Sequence, residues 1–276
     1  MTLTGTAGSD FGFGYRSQTM SSGTDTITLT ANCTSVDVLY TAYSGAGAFI
    51  YQVDGGSWSA NVPTSGSLSS ACVFKITGLT AGSHTIVLKW STGATVFIDG
   101  FFVYNGDETK GVRMWEGAMS GATTANFLPN DLTKHWPGVV LANPSLAVIA
   151  LGTNDVGTAP HISPATYKAN LLALIDAFNT YNTRQPSILL VSPYFRGDIT
   201  LVSIAPDTIA DYINKQWEIA SERPNVAVWD SGIRLLGSSG ATASAASPFI
   251  NADLVHPTNA GQTQYGEALA RWIAPS

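Results

Sequence analysis

Leu146-Ala147-Val148-Ile149-Ala150-Leu151, followed at once by Gly152-Thr153-Asn154-Asp155, decides how this chain is read. A continuous apolar run without alternation describes a strand buried on both faces, the state of strands inside a parallel sheet. Ser187-Ile188-Leu189-Leu190-Val191 repeats the pattern, and Val226-Ala227-Val228-Trp229 is a shorter version of it. Helical stripes separate these runs. Ser163-Pro164 offers an N-cap and a proline at the first helical position. Behind it Tyr167, Leu171, Leu174, Ile175 and Phe178 fall on one face. Ile209, Tyr212, Ile213, Trp217 and Ala220 stripe a second helix, and Thr258 caps a third that runs to Ile273. Strands alternating with helices build right-handed βαβ units and a three-layer sheet.

Toward the N-terminus, Val112-Arg113-Met114-Trp115 is read as one more strand of this sheet. Before residue 110 the period changes to two. Thr26–Thr30, Val36–Tyr40, Ala48–Val53, Val73–Ile76, Thr85–Trp90 and Thr95–Ile98 alternate as half-buried strands do. Asp54-Gly55-Gly56 turns the chain, and Asp99-Gly100 interrupts a run that Phe101–Tyr104 resumes. Short strands at regular spacing describe an all-β, jelly-roll-like sandwich. The expected organisation is therefore a β-sandwich over residues 1–110 and an α/β domain over residues 111–276.

Composition narrows the function classes. A hydrophobic share of 45% fills two cores, while charged residues make up only 12%, about half the usual share. A net charge of −6 supplies no basic stripe to neutralise phosphates, so a nucleic-acid partner is not expected. No apolar run reaches the roughly 18 residues of a membrane-spanning helix, and Met1-Thr2-Leu3-Thr4-Gly5 does not open a signal peptide. Cys33 and Cys72 are too few for a disulfide scaffold or a cysteine-based zinc site, and their pairing is left open. A low-charge surface rich in Ser, Thr and Gly is that of an extracellular or virion-associated protein.

The chemistry collects at strand ends, where open α/β sheets bind ligands. Asp253-Leu254-Val255-His256-Pro257 sets a carboxylate three residues ahead of a histidine, able to hold the imidazole in one tautomer and to stabilise its protonated form. Asn154 offers a side-chain N–H₂ and Gly121 a backbone N–H that a ligand can approach closely, together an oxyanion hole. Asp155 is read as a brace of the Asn154 turn. His84 is read as opening a strand, and His135 and His161 as surface loop residues. Trp58, Tyr51, Tyr43 and Tyr104 are suited either to a core or to stacking on sugar rings.

On these residues the second half resembles the SGNH, or GDSL-type, hydrolases: esterases, lipases and carbohydrate deacetylases on a flavodoxin-like three-layer fold. Gly152-Thr153-Asn154-Asp155 resembles the family's Asn block, Asp253–His256 its terminal block, and Ser120-Gly121-Ala122-Thr123 its glycine block. The resemblance implies Asn154 and Gly121 as oxyanion donors, His256 as general base and Asp253 as its orienter, with no cofactor or metal. More loosely, the first half resembles the carbohydrate-binding-like sandwiches beside such domains in phage tail proteins and secreted esterases. The family's Gly-Asp-Ser nucleophile block occurs nowhere in this chain, and four readable strands stand where the fold has five. The strand and its serine are then expected from residues 1–20 or from a separate polypeptide. Gly8-Ser9-Asp10 has the residue types in another order, which makes Ser9 the weak in-chain candidate; Ser120 and Ser192 read as turn residues. Two functions follow: an esterase or deacetylase acting on acylated glycan, or a non-catalytic glycan-binding or virion structural protein on the same fold.

Overall fold

The period-two runs fold as antiparallel strands in a computed structural model of the chain, which describes residues 2–3, 6–8, 11–130, 132–157, 161–194, 197, 206–232 and 248–273. The chain divides into two units, residues 1–119 with 130–142, and residues 120–129 with 143–276. No helix among the described residues is long and apolar enough to cross a membrane.

The first unit carries β1 (Thr2–Leu3), β2 (Thr6–Gly8), β3 (Ser17–Met20), β4 (Thr26–Cys33), β5 (Ser35–Ala42), β6 (Ala48–Val53), β7 (Val62–Pro63), β8 (Ser69–Ile76), β9 (Gly82–Thr92) and β10 (Val96–Tyr104). They form two five-stranded sheets, β1-β4-β9-β6-β7 and β2-β3-β10-β5-β8. Ile27, Leu29, Phe49, Ile86 and Leu88 of the first share a core with Met20, Val36, Val38, Ile76 and Ile98 of the second. Asp99-Gly100 does not end a strand: β10 runs through it, and the register to β5 shifts between Ile98 and Gly100 as at a β-bulge. Cys33 and Cys72 lie in different sheets and are free thiols. Thr2 pairs with Thr28 and Thr6 with Thr19, so β1, β2 and β3 are strands of these two sheets. The described residues of 1–20 therefore supply no strand to the parallel sheet.

The expected strand at 112–115 is not one. Its alternation survives without a ladder. Arg113 donates from Nη1 to Tyr104 Oη at 3.1 Å, and Trp115 packs against Phe102 with ring centroids 4.4 Å apart. The alternate residues Val112 and Met114 are 98% and 83% exposed. Two side chains dock on the sandwich, while the backbone pairs with no strand among the described residues.

His135, expected on a surface loop, is buried. Its ring stacks on Phe13 and on Tyr15, with centroids 4.9 and 5.7 Å away, and its Nδ1 accepts the amide of Gly14 at 3.1 Å. It stands just ahead of α1 (Trp136–Ala142), a helix the sequence reading did not draw. Burial pushes the imidazole down to about 4, and an Nδ1 used as an acceptor must in any case be unprotonated. Asp99 works in the opposite sense. Its carboxylate accepts from Thr41 Oγ1 at 2.9 Å and from the Ala71 amide at 3.0 Å, and burial pushes it up to about 6. The stability held by neutral His135 is complete above its unfolded value near 6.5 and is lost as pH falls toward 4, on the order of 3 kcal/mol. For Asp99 the contribution is complete below its unfolded value near 3.8 and is lost as pH rises through about 6. Their opposed slopes offset each other in the parent protein. Asp99→Asn is expected to steepen the loss of stability on acidification, and His135→Phe to reverse its sign, in unfolding midpoints followed between pH 4 and pH 7. Parallel pH profiles in the two variants would contradict this account.

The second unit carries β11 (Leu146–Ile149), β12 (Ser187–Val191) and β13 (Val226–Trp229), with α2 (Thr153–Gly157), α3 (Pro164–Tyr181), α4 (Pro206–Glu222) and α5 (Asn259–Ile273). The strands are parallel in the order β11-β12-β13, with Val148 beside Leu189 and Leu190 beside Val228. Among the described residues the parallel sheet thus has three strands instead of the expected four. Leu189, Val191 and Trp229 pack against Tyr265, Ala268 and Leu269 of α5. Ser163 caps α3, its Oγ accepting from Thr166 N at 3.1 Å, and Thr258 Oγ1 accepts the Gly261 amide at 3.1 Å at the start of α5. The face of α4 differs from the expected stripe. Ile209, Tyr212, Gln216 and Ile219 are buried, whereas Trp217 is 51% exposed. Gln216 goes inside because its Nε2 has acceptors there, Tyr167 Oη at 2.7 Å and Val191 O at 3.3 Å.

Candidate active site

Two clusters stand beyond the carboxyl ends of the parallel strands in the second unit. The first is built on the turn after β11. Gly152 has φ +128°, and a Cβ there would lie 2.8 Å from Tyr167 Oη and 3.1 Å from Pro193 Cγ. Only glycine lets the turn close against the residues that follow β12. Asn154, on α2, donates from Nδ2 to Ala122 O at 3.0 Å. That uses one of its two amide hydrogens and leaves the other for a ligand. The preceding Gly121 has φ +74°, and its N–H makes no hydrogen bond among the described residues. Gly121 and Asn154 are therefore brought side by side, with an N–H available from each.

The second cluster is the segment before α5. His256 Nδ1 stands 2.7 Å from Asp253 Oδ2, while Asp253 Oδ1 accepts the amides of Val255 and His256, each at 2.9 Å. Those bonds, with the His256 amide foremost, pull the Asp253 carboxyl down to about 2. The loop is held from several sides. Leu254 takes φ +61°, its carbonyl accepts the Gly197 amide at 2.9 Å, and Tyr194 donates its hydroxyl to Val255 O. Tyr194 lies in the segment that leaves β12, as Pro193 beside Gly152 does, so both clusters sit at the same end of the sheet.

His256 is exposed, and its Nε2 has no hydrogen-bond partner among the described residues. Ser120 is exposed in the glycine turn. Ser192 is buried, its Oγ accepting the Ser231 amide at 3.1 Å, which makes it a clasp between the ends of β12 and β13. Ser9 lies outside the described residues. His84 is not a second base, since Asp54 Oδ2 at 2.6 Å and Thr80 O at 2.7 Å engage both its ring nitrogens. Among the described residues no group of three or more His, Cys, Asp or Glu side chains could hold a metal ion. Sequence reasoning missed Tyr194, which carries no local motif, and the depth of the Asp155 contacts, whose partner Thr124 is 31 residues away.

An imidazole oriented by a carboxylate, at the same sheet end as two N–H donors, is the equipment of acyl transfer. Residues 105–264 match the GDSL-like Lipase/Acylhydrolase family, more than half of the chain, and the chain belongs to that family. No curated protein matches it. Among solved structures it is similar to a peptidoglycan O-acetylesterase, with 14% identity, 99% of this chain and 77% of that one covered, and a TM-score of 0.59, a likeness of fold. It is also similar to the lipase/acylhydrolase from Enterococcus faecalis, with 22% identity, 57% and 73% covered, and a TM-score of 0.45. A family two carbohydrate esterase with its carbohydrate binding domain, from Corynascus thermopiles (Myceliophthora fergusii), has 14% identity, 98% of each chain covered and a TM-score of 0.45.

Proposed function

We propose that this chain is a serine-type ester hydrolase acting on acylated carbohydrate, an esterase or deacetylase. The observation that carries the reading is the 2.7 Å contact of Asp253 Oδ2 with His256 Nδ1, which leaves Nε2 free to take a proton. A serine hydroxyl attacks the acyl carbonyl while His256 Nε2 accepts its proton. Gly121 N and Asn154 Nδ2 bond the oxyanion. Collapse expels the sugar hydroxyl, protonated by His256, and water cleaves the acyl-serine by the same route to release the acid. The O-acetylesterase of similar fold supports a glycan ester as substrate. In the first unit, exposed Trp58 with Lys89 Nζ 5.7 Å from its ring supports contact with sugar, in keeping with a jelly-roll-like carbohydrate-binding role. The low-charge surface supports an extracellular or virion-associated setting.

The serine comes, in this reading, from a strand outside residues 1–276, on an upstream segment or a separate polypeptide. Two observations support it. Nε2 of His256 meets no serine among the described residues. Among those residues β11 pairs only with β12, and its Leu146 and Val148 are 39% and 44% exposed, unlike the buried strands beside it. The 276-residue chain alone is expected to hydrolyse p-nitrophenyl acetate no faster than its His256→Ala variant. With the polypeptide encoded immediately upstream, the rate is expected to rise by at least about 10²-fold, and His256→Ala is expected to abolish the gain. No gain in either form, together with retention on acetylated polysaccharide, would leave the glycan-binding protein as the function.

A further inference from the structure

We infer that Asp155 is a positioning residue, whose carboxylate holds the N–H donors of Gly121 and Asn154 in a fixed relation to each other. Its catalytic consequence rests on the esterase reading above. Asp155 is buried and follows Asn154 directly on α2. Its carboxylate takes three hydrogen bonds from one residue: Thr124 N to Oδ1 at 3.0 Å and to Oδ2 at 3.1 Å, and Thr124 Oγ1 to Oδ1 at 2.5 Å. Thr124 is itself fully buried, and Asn170 Nδ2 of α3 donates to its Oγ1 at 2.9 Å.

The consequence lies in how the two turns are tied. Asn154 grips the glycine turn at Ala122 O, and Asp155 grips it two residues further on, at Thr124. A segment held at one point rotates about it; held at two points by adjacent residues, it moves only with them. Gly121, whose left-handed backbone gives it no stiffness of its own, lies just ahead of the first grip. Without Asp155 the Thr124 amide and hydroxyl would be buried without an acceptor, and the turn would have to shift to satisfy them. Donors aimed before the reaction act on the oxyanion without reorganising, and that advantage is lost when the turn is loose. Asparagine is the conservative replacement, since its Oδ1 still accepts from Thr124 N and its Nδ2 can donate to Thr124 Oγ1.

Backbone ¹⁵N relaxation on the 276-residue chain reads the geometry. Asp155→Ala is expected to lower the order parameter of the Gly121 N–H from the rigid range of about 0.85 to below about 0.6, while Asp155→Asn keeps it in the rigid range. In the serine-completed enzyme, Asp155→Ala is expected to lower kcat for p-nitrophenyl acetate by at least about tenfold with KM within about twofold, and Asp155→Asn to recover most of it. Thr124→Val takes the place of Asp155→Ala if that variant does not fold. An unchanged order parameter at Gly121 would overturn the inference, as would a lowered one with an unchanged kcat. A parent protein with no ester hydrolysis in either form would refute the esterase reading alone, because the relaxation measurement still decides whether Asp155 holds the donors.

Discussion

Replacing His256 by alanine is expected to lower kcat of the serine-completed enzyme by about 10⁴–10⁶-fold, and replacing Asp253 by asparagine by about 10⁴-fold. Both values follow from the division of labour across the 2.7 Å Nδ1 to Oδ2 contact. His256 is the one general base that the described geometry offers, so its removal leaves the attacking hydroxyl protonated. Asp253 moves no proton. With two amides bonded to its Oδ1 and a carboxyl pulled down to about 2, it is ionised at every pH where an imidazole can act as a base. It fixes the proton of the neutral imidazole on Nδ1 and favours the imidazolium that forms in the transition state. A depressed carboxylate pKa of this kind loses its effect only as pH falls through about 2, so no acid limb of kcat/KM above that pH is expected to belong to Asp253. The profile of kcat/KM against pH checks both points. A parent rate insensitive to His256→Ala would end the triad reading, whatever the source of the serine.

Asn154→Ala is expected to cost about 10²–10³-fold in kcat, or about 2.7–4 kcal/mol of transition-state stabilisation, with KM little changed. The asymmetry is expected because, in the proposed reaction, the free hydrogen of Asn154 Nδ2 bonds charge that develops only in the transition state. Its other hydrogen is held by Ala122 O at 3.0 Å, which fixes the amide before substrate arrives. Steady-state kinetics on p-nitrophenyl acetate separate the two parameters. An equal rise in KM with kcat intact would place Asn154 in ground-state binding instead.

The parts legible in the sequence are those whose causes are local. Asp253 and His256 are three residues apart, so a single turn brings carboxylate and imidazole together, and the residue types alone announce it. The Ser163 cap of α3 and the Thr258 cap of α5 are equally short-range. Buried parallel strands show as unbroken apolar runs because both of their faces are covered, and β12 carries that signature over Ile188–Val191.

Tertiary structure decided whatever depends on a distant partner. Val112-Arg113-Met114-Trp115 has the alternation of a strand, yet a strand exists only where another edge completes its hydrogen bonds, and here side chains dock on Tyr104 and Phe102 instead. Trp217 is the more apolar neighbour, but Gln216 is buried because Tyr167 and Val191 present acceptors to it. Nothing near His135 in the sequence announces its burial, which rests on Phe13, Gly14 and Tyr15 more than a hundred residues away. Asp155 and Thr124, 31 residues apart, meet only when the glycine turn is folded against α2. Periodicity, caps and a carboxylate–histidine spacing are properties of a few consecutive residues, so the α/β pattern and the Asp253–His256 pair are already legible in them. Pairing, burial and the seating of the glycine turn against Asn154 and Asp155 are properties of contacts between remote segments, and those are settled only when the chain has packed.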